Sequence, residues 1–345
     1  MTRRRFFQVF AAMMIAVCLL VLSGAVSAQG NSDNAFERVK EVQARHTAKL
    51  MAKEGVVGTA VGLSDQGQAA VLVLLESAGI GGIPEELDGV VVQPIVTGKI
   101  EALVKPAGKP GKPGGGGSTL SPTSIWPLPV PIGVSTGNAG ECSAGTIGCR
   151  VTDGINVYAL SNNHVFALEN DAAIGSTILQ PGLYDTACVY KGNNVIGGLA
   201  DFVPIVFDAS NTVDCAISTA TMANLGRATP PNGYGVPKST TVPAVVGTPV
   251  QKYGRTTSLT KGTITGINAT IYVSYSGGTA TFDNQIIVQS RKAFIKAGDS
   301  GSLMVTDPGR NPVGLLFAGN GSGNYAVAND IDEVLGAFGV TIDGE

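Results

Sequence analysis

Gly298-Asp299-Ser300-Gly301-Ser302 sets a serine between glycines, late in a chain of short β-rich runs. A residue without a Cβ enters the positive-φ region at no steric cost, so glycines on both sides permit a tight backbone turn. Such a turn exposes the Ser300 hydroxyl and can point the amides of Gly298 and Ser300 at one spot. Nucleophilic attack on a carbonyl needs that pair of features, a hydroxyl that reaches the carbon and donors for the developing oxyanion. By itself, a Gly-Asp-Ser-Gly run in a chain with 47 glycines reads equally well as a plain turn. A reactive serine also requires a base and a group to orient that base.

The sequence offers two histidines. His46 falls on a helical period with Phe36, Val39, Val42 and Leu50, and reads as the border of an amphipathic face. His164 ends Tyr158-Ala159-Leu160-Ser161-Asn162-Asn163-His164-Val165, where an apolar strand runs into a polar corner suited to aiming an imidazole into a cleft. For the orienting carboxylate, Val213-Asp214-Cys215-Ala216-Ile217 stands out, because an Asp inside an apolar run is costly unless it has a partner. Asp185, Asp201 and Asp208 are weaker candidates.

The order His164, Asp214, Ser300 is that of the chymotrypsin arrangement and differs from the subtilisin and α/β-hydrolase orders. At this point the residues carry a family resemblance. Leu160 to Val165, Val213 to Ile217 and Gly298 to Ser302 resemble the His, Asp and Ser motifs of HtrA-type and related bacterial trypsin-like serine peptidases. Tyr253-Gly254-Arg255-Thr256-Thr257 is similar to a segment of the streptogrisin and α-lytic group. The resemblance covers Ile132 to about Asp330. It implies a mainly β protein, a double six-stranded β-barrel with His164 and Asp214 from the first barrel and Ser300 from the second. It also implies Phe294 at the base of the primary specificity pocket, six residues before Ser300, with Phe317, Ala318 and Gly319 on the strand that pairs with substrate. Because Phe294 is not an acid, cleavage after Lys or Arg is not expected. The expected partner is a protein or peptide substrate, without cofactor or metal.

Composition agrees with a folded, exported chain. Apolar residues make up 44% and charged ones 14%, which excludes a disordered chain. Arg3-Arg4-Arg5, an apolar stretch to Val26 and Val26-Ser27-Ala28 read as a signal peptide over 1–28, by the general or the twin-arginine route. Its removal makes the formal charge of −3 still more negative, so nothing recommends nucleic acid or anionic lipid as partner. Cys142 and Cys149, close together in a Gly-rich stretch, are expected to form a disulfide. Cys188 and Cys215 read either as a second bridge or as two buried thiols.

Residues 34–104 read as a small α/β domain: a helix from Asn34 to Lys53, a hairpin of Val56 to Leu63 with Ala69 to Leu75, a helical turn at Ile83 to Leu87 and strands from Val90 to Leu103. Residues 105–125, rich in Pro and Gly, read as a linker, and 126–345 as the peptidase domain. Within it, Ala187 to Lys191 is expected as a strand, and Asp330 to Phe338 as a capped helix. The first domain lacks a nucleophile or metal cluster. Two readings are open for it: a pro-domain that aids folding or covers the cleft, and an accessory domain that stays attached.

Overall fold

The computed structural model describes residues 34–103 and 120–345; the expected signal peptide and most of the expected linker lie outside them. Helix α1 occupies residues 34–51. It is followed by β1 Val56–Leu63, β2 Ala69–Leu75, β3 Glu86–Leu87, β4 Val90–Val96 and β5 Ile100–Ala102. The first barrel then uses β6 Ser135–Asn138, β7 Gly145–Thr146, β8 Cys149–Thr152, β9 Val157–Ser161, the short α2 Asn163–Phe166, β10 Thr177–Gln180 and β11 Asn194–Phe202. After β12 Ser210–Asn211 it is completed by β13 Ala216–Ala220. The second barrel comprises β14 Pro249–Gly254, β15 Ser258–Tyr275, β16 Gly278–Gln289, β17 Leu303–Thr306, β18 Pro312–Asn320 and β19 Tyr325–Asp330. The chain closes with α3 Ile331–Phe338 and β20 Thr341–Ile342.

The protein is mainly β, as expected. In the first sheet the order is β8, β9, β13, β11, β10, β6, with β20 added at one edge and β7 at the other. In the second, β14, β15, β16, β19, β18 and β17 close on themselves through the β17–β14 pairing. Leu303, Val305 and Leu315 of the second barrel join the core of the first, as do Ile331 and Val334 of α3. Asp330 caps α3 by accepting from the Asp332 amide at 2.9 Å, and Gly339 ends it in the left-handed region at φ 63°.

The N-terminal strands extend the second barrel's sheet. Strand β1 pairs antiparallel with β15, Gly58 opposite Ile271 and Gly62 opposite Gly266. The period-2 pattern explains how: Ala70, Leu72 and Leu74 of β2 face the barrel core, while Val71, Val73 and Leu75 face α1 with Val39, Val42 and Leu50. A strand buried on both faces is near-continuously apolar, and Val56 to Leu63 is such a run. The turn at Ile83 to Leu87 is not helical. Asp88 and Gly89 hold φ 48° and 78°, so Glu86 and Leu87 fold back on Val91 and Val90 as a two-residue Asp-Gly hairpin.

Two other expectations are corrected. The disulfide joins Cys142 to Cys188, with Cα atoms 5.1 Å apart, and not to Cys149. Cys149 opens β8 opposite Leu160, and its side chain goes inward to the first barrel's core, out of reach of the surface turn that holds Cys142. Cys215 is the second buried thiol. Residues 187–191 form a turn and not a strand, since Ala187 and Cys188 take φ 61° and 62°, which a strand cannot accommodate. Burial holds both free thiols well above the ordinary cysteine range. In an alkylation map, Cys149 and Cys215 are expected to react only after denaturation, and Cys142 and Cys188 only after reduction. Ready modification of Cys149 in the native protein would contradict this placement.

Candidate active site

Just beyond β9 the chain turns a corner whose geometry two polar side chains fix. The Asn162 amide donates to the Asp214 carbonyl at 2.7 Å, and the Asn163 amide donates to the Val203 carbonyl at 2.7 Å. His164 follows on α2. Its Nδ1 lies 2.5 Å from Asp214 Oδ2, and its backbone amide donates to Oδ1 at 3.2 Å. Both side chains are completely buried. A buried carboxylate must be met by donors, and Asp214 has a further one, the Tyr275 hydroxyl at 2.8 Å from Oδ2. Since Nδ1 faces a carboxylate, it carries the proton, and Nε2 is left as a bare acceptor. Nε2 is buried and without a hydrogen-bond partner. A buried polar atom left open in this way is the place where a proton can be accepted.

Tyr275, at the end of β15, stands edge-on to the His164 ring with centroids 6.0 Å apart, and packs against Phe207 and Phe282. Burial, then the charge of Asp214 and their hydrogen bond, push its phenol well above the ordinary range. It therefore remains a donor to Asp214 at alkaline pH.

Ser300 sits in a loop with Gly298 at φ 93° and Gly301 at φ 89°. A Cβ on Gly301 would come 2.2 Å from Ser161 Oγ and 2.4 Å from the Thr146 carbonyl, so only glycine lets this loop approach β9. The first barrel grips the loop directly: the Thr146 amide donates to the Ser300 carbonyl and the Thr146 hydroxyl to the Gly298 carbonyl, each at 2.8 Å. The Ser300 hydroxyl faces the Phe317 carbonyl at 3.4 Å and makes no bond to Nε2.

The neighbouring Asp299 is the loop's anchor. Its carboxylate accepts from the amides of Thr256, Thr257 and Lys296 at 2.8, 3.1 and 2.9 Å, and from the Thr257 hydroxyl at 2.7 Å. Lys252 of β14 lies 3.2 Å from it, and neither side chain is exposed. Burial lowers the Lys252 ammonium from its ordinary range while Asp299 opposes the shift. The adjoining Arg255 pairs with Asp185, Nε to Oδ2 at 2.8 Å, which ties the segment Gly254 to Thr257 to the first barrel.

One further segment enters the cleft. Strand β5 pairs antiparallel with β18, Ala102 opposite Ala318, Glu101 opposite Gly319 and Ile100 opposite Asn320. Beyond it, the Leu103 amide reaches toward the Phe317 carbonyl at 3.5 Å, and the Leu103 carbonyl accepts from the Gly298 amide at 2.8 Å. The Leu103 side chain joins the apolar cluster containing Phe294, Ile295 and Leu316, with Ala297 packed against it. Gly319 makes room, since a Cβ there would come 3.2 Å from Leu103 Cδ1 and 2.7 Å from Ile295 Cγ2.

The structure thus joins His164 to Asp214 and sets Ser300, Gly298, Phe294, Phe317, Ala318 and Gly319 along the same seam. His46 stands apart, 3.0 Å from Asp88 on the outer side of α1. Asp185 serves Arg255, while Asp201 and Asp208 are exposed. Sequence reasoning missed Lys252, Tyr275 and Leu103. Lys252 carried a usable signal, a charge inside the β run Val250 to Tyr253, which is the argument that found Asp214.

Removing the Asp299 carboxylate strands a buried ammonium. Asp299→Ala, in a Ser300→Ala background that suppresses self-digestion, is expected to lose about 3–5 kcal/mol in urea unfolding. Adding Lys252→Met is expected to restore a substantial part of that loss. No recovery in the double variant would place the stabilisation elsewhere.

Comparison with known proteins gives matches of limited extent. The family description Nal1 C-terminal domain matches residues 196–330, which include Asp214 and Ser300. No curated protein sequence matches the chain. Among solved structures, Thermobifida fusca protease A is 20% identical, covering 63% of this chain and 100% of its own, with a TM-score of 0.46. Cellulomonas bogoriensis chymotrypsin is 22% identical, covering 63% of this chain and 99% of its own, with a TM-score of 0.43. A serine protease described as glutamic acid specific is 24% identical over 62% of this chain and 100% of its own, with a TM-score of 0.43. The fold of the chain, two curled β-sheets preceded by a small N-terminal region, is that of a chymotrypsin-like double β-barrel.

Proposed function

We propose that this chain is an exported serine endopeptidase that hydrolyses peptide bonds through His164, Asp214 and Ser300. The observation that carries the reading is the buried His164–Asp214 pair, whose Nδ1 is engaged and whose Nε2 is open, in a seam shared with a serine loop held by Asp299. In the reaction, Ser300 Oγ attacks the substrate carbonyl carbon after its hydroxyl turns from Phe317 toward Nε2. His164 takes the proton and passes it to the leaving amine, and Asp214 stabilises the imidazolium. The amides of Gly298 and Ser300 hold the oxyanion, each such donor contributing about 10²–10³ in rate. Water then cleaves the acyl-enzyme by the reverse proton path. The motifs at His164, Asp214 and Ser300 agree with HtrA-type and streptogrisin-type relatives alike, and Gly254-Arg255-Thr256-Thr257 favours the latter. The disulfide between Cys142 and Cys188 supports an oxidising, exported setting.

Phe294, completely buried in an apolar cluster, supports a preference other than Lys or Arg. A second reading also has an observation behind it. The cleft is occupied by residues 100–103 of the same chain, which fits a protein that processes itself once and then acts as a binding or sensing module. In that case residues 34–104 would serve as an intramolecular inhibitor or folding aid.

Assay against chromogenic peptides separates these readings. Turnover on Ala- or Leu-terminated reporters, poor turnover on Arg-terminated ones, and a loss of roughly 10⁴–10⁶ in kcat in Ser300→Ala support the endopeptidase. Correctly folded protein without turnover supports the single-use reading. Tyr275→Phe removes one hydrogen bond to a charged carboxylate and is expected to lower kcat about 10-fold at unchanged KM. Its alkaline activity limit is expected to match that of the wild type, since burial keeps the Tyr275 phenol protonated there. An alkaline limit that moves in Tyr275→Phe would show that the phenol titrates in the working range.

A further inference from the structure

Shortly after α2 the backbone takes a strained course. Leu168, Glu169 and Asn170 hold φ of 53°, 56° and 83° in succession. A non-glycine residue rarely enters the left-handed region, and a run of three persists only where the surroundings impose it. The imposing contacts start at the residue before His164. The Asn163 side-chain amide donates to Asn170 Oδ1 at 2.8 Å, and the Asn170 backbone amide donates to Asn163 Oδ1 at 3.1 Å. Asn170 also meets Ile205 in both directions: its side-chain amide donates to the Ile205 carbonyl at 2.9 Å, and its Oδ1 accepts from the Ile205 amide at 2.8 Å. Held in this way, the turn sends the Glu169 carboxylate across to the tip of the hairpin between β15 and β16. There the carboxylate accepts from the Ser276 amide at 3.2 Å, the Gly277 amide at 3.1 Å and the Ser276 hydroxyl at 2.5 Å.

One residue before those amides stands Tyr275. It pairs with Gly278 across the two-residue turn, and its hydroxyl donates to Asp214 Oδ2 at 2.8 Å. The β16 arm of the hairpin has its own hold on the chain, because β12 pairs with it at Thr281 and Phe282. The turn itself is exposed, and water would satisfy its amides without fixing their place. A carboxylate that gathers three donors from one turn does fix it. Phe207 lies against the same turn, since a Cβ on Gly277 would come 3.2 Å from Phe207 Cζ. Resting on the triad assigned above, we propose that Glu169 is a positioning residue for the reaction: by clasping the turn between β15 and β16 it sets the Tyr275 hydroxyl on Asp214, and through Asp214 the ring of His164. Asn163 and Asn170 hold the clasp in its left-handed shape. The contacts then form a closed circuit, from Asn163 beside His164 through Asn170, Glu169, Ser276 and Tyr275 to Asp214, and back to His164 Nδ1. Glu169 touches no reacting atom, so its loss is read in the orientation of the base and not in the binding of substrate.

A double-mutant cycle on the full chain tests this, with Glu169→Ala, Tyr275→Phe, the two combined, and Glu169→Gln. Glu169→Ala is expected to lower kcat about 3–10-fold at unchanged KM, a loss no larger than that of Tyr275→Phe. In the Tyr275→Phe background the same change is expected to cost less than about 2-fold, because the two residues act in series. Glu169→Gln keeps an acceptor oxygen for the turn amides without the charge, and is expected to recover most of the loss. Losses that multiply in the combined variant, or a Glu169→Gln chain as slow as Glu169→Ala, overturn the proposal and leave the peptidase reading in place. Glu169→Gly removes the carboxylate and relieves the left-handed backbone, so it takes the place of Glu169→Ala if that variant does not fold. The downfield proton on His164 Nδ1, read by NMR in a Ser300→Ala background, reports the same coupling without turnover. Glu169→Ala is expected to move it in the direction that Tyr275→Phe does, and a resonance left unmoved overturns the proposal. Folded wild type without turnover overturns the peptidase reading, and the resonance then decides the clasp by itself.

Discussion

The buried carboxylate of Asp299 gathers an ammonium, three amides and a hydroxyl from three separate stretches of chain, and the loop that carries Ser300 exists in its shape because of that convergence. Each partner is also a constraint. Lys252 fixes β14, Thr256 and Thr257 fix the turn between β14 and β15, and Lys296 fixes the approach to Gly298. A carboxylate with five donors is adequately solvated by protein, so the cost of burying it is met by geometry and not by water. The glycines on either side then supply what side chains would forbid: positive φ at Gly298 and Gly301, and contact with Ser161 and Thr146 at distances that leave no space for a Cβ.

The candidate triad is divided between the two barrels, and contacts across their seam position it. His164 and Asp214 come from the end of β9 and the entry to β13, and the serine loop from the second barrel. Thr146 bridges them with one amide and one hydroxyl. Tyr275 reaches Asp214 from the far end of β15, so the carboxylate that orients the imidazole is itself oriented from the second barrel. The N-terminal region belongs to the same mechanics, since its β1 lengthens the second barrel's sheet and its β5 lies along the strand that bears Phe317, Ala318 and Gly319.

Much of this was legible in the sequence where a local rule had one solution. Val157 to Ser161 and the hairpin of Val56 to Leu63 with Ala69 to Leu75 follow from short apolar, β-rich runs, and α3 from its capping Asp330. His164 and Asp214 could be paired because histidine is scarce and an Asp in an apolar run needs a partner. What was not legible depended on contacts between distant segments. Cys142 lies nearer in sequence to Cys149 than to Cys188, and only the inward direction of Cys149 on β8 decides the pairing. The left-handed turn at Ala187 and Cys188 looks like a strand by residue type alone. The hairpin at Asp88 and Gly89 did carry a signal, the Asp-Gly pair itself, which the Pro84 and the acidic residues beside it obscured. That Leu103 would meet Gly298 follows from no local pattern, because the two are brought together by the sheet extension through β1.

Every step assigned to Ser300 depends on His164 being held by Asp214 through Nδ1, with Nε2 free for a proton. Proton NMR of the Ser300→Ala chain reads that bond directly, and the chain's two histidines make assignment simple. One imidazole N–H resonance is expected far downfield of the amide region, present in Ser300→Ala, shifted in Tyr275→Phe and abolished in Asp214→Asn. Absence of such a resonance from the folded protein, or its persistence in Asp214→Asn, would contradict that arrangement.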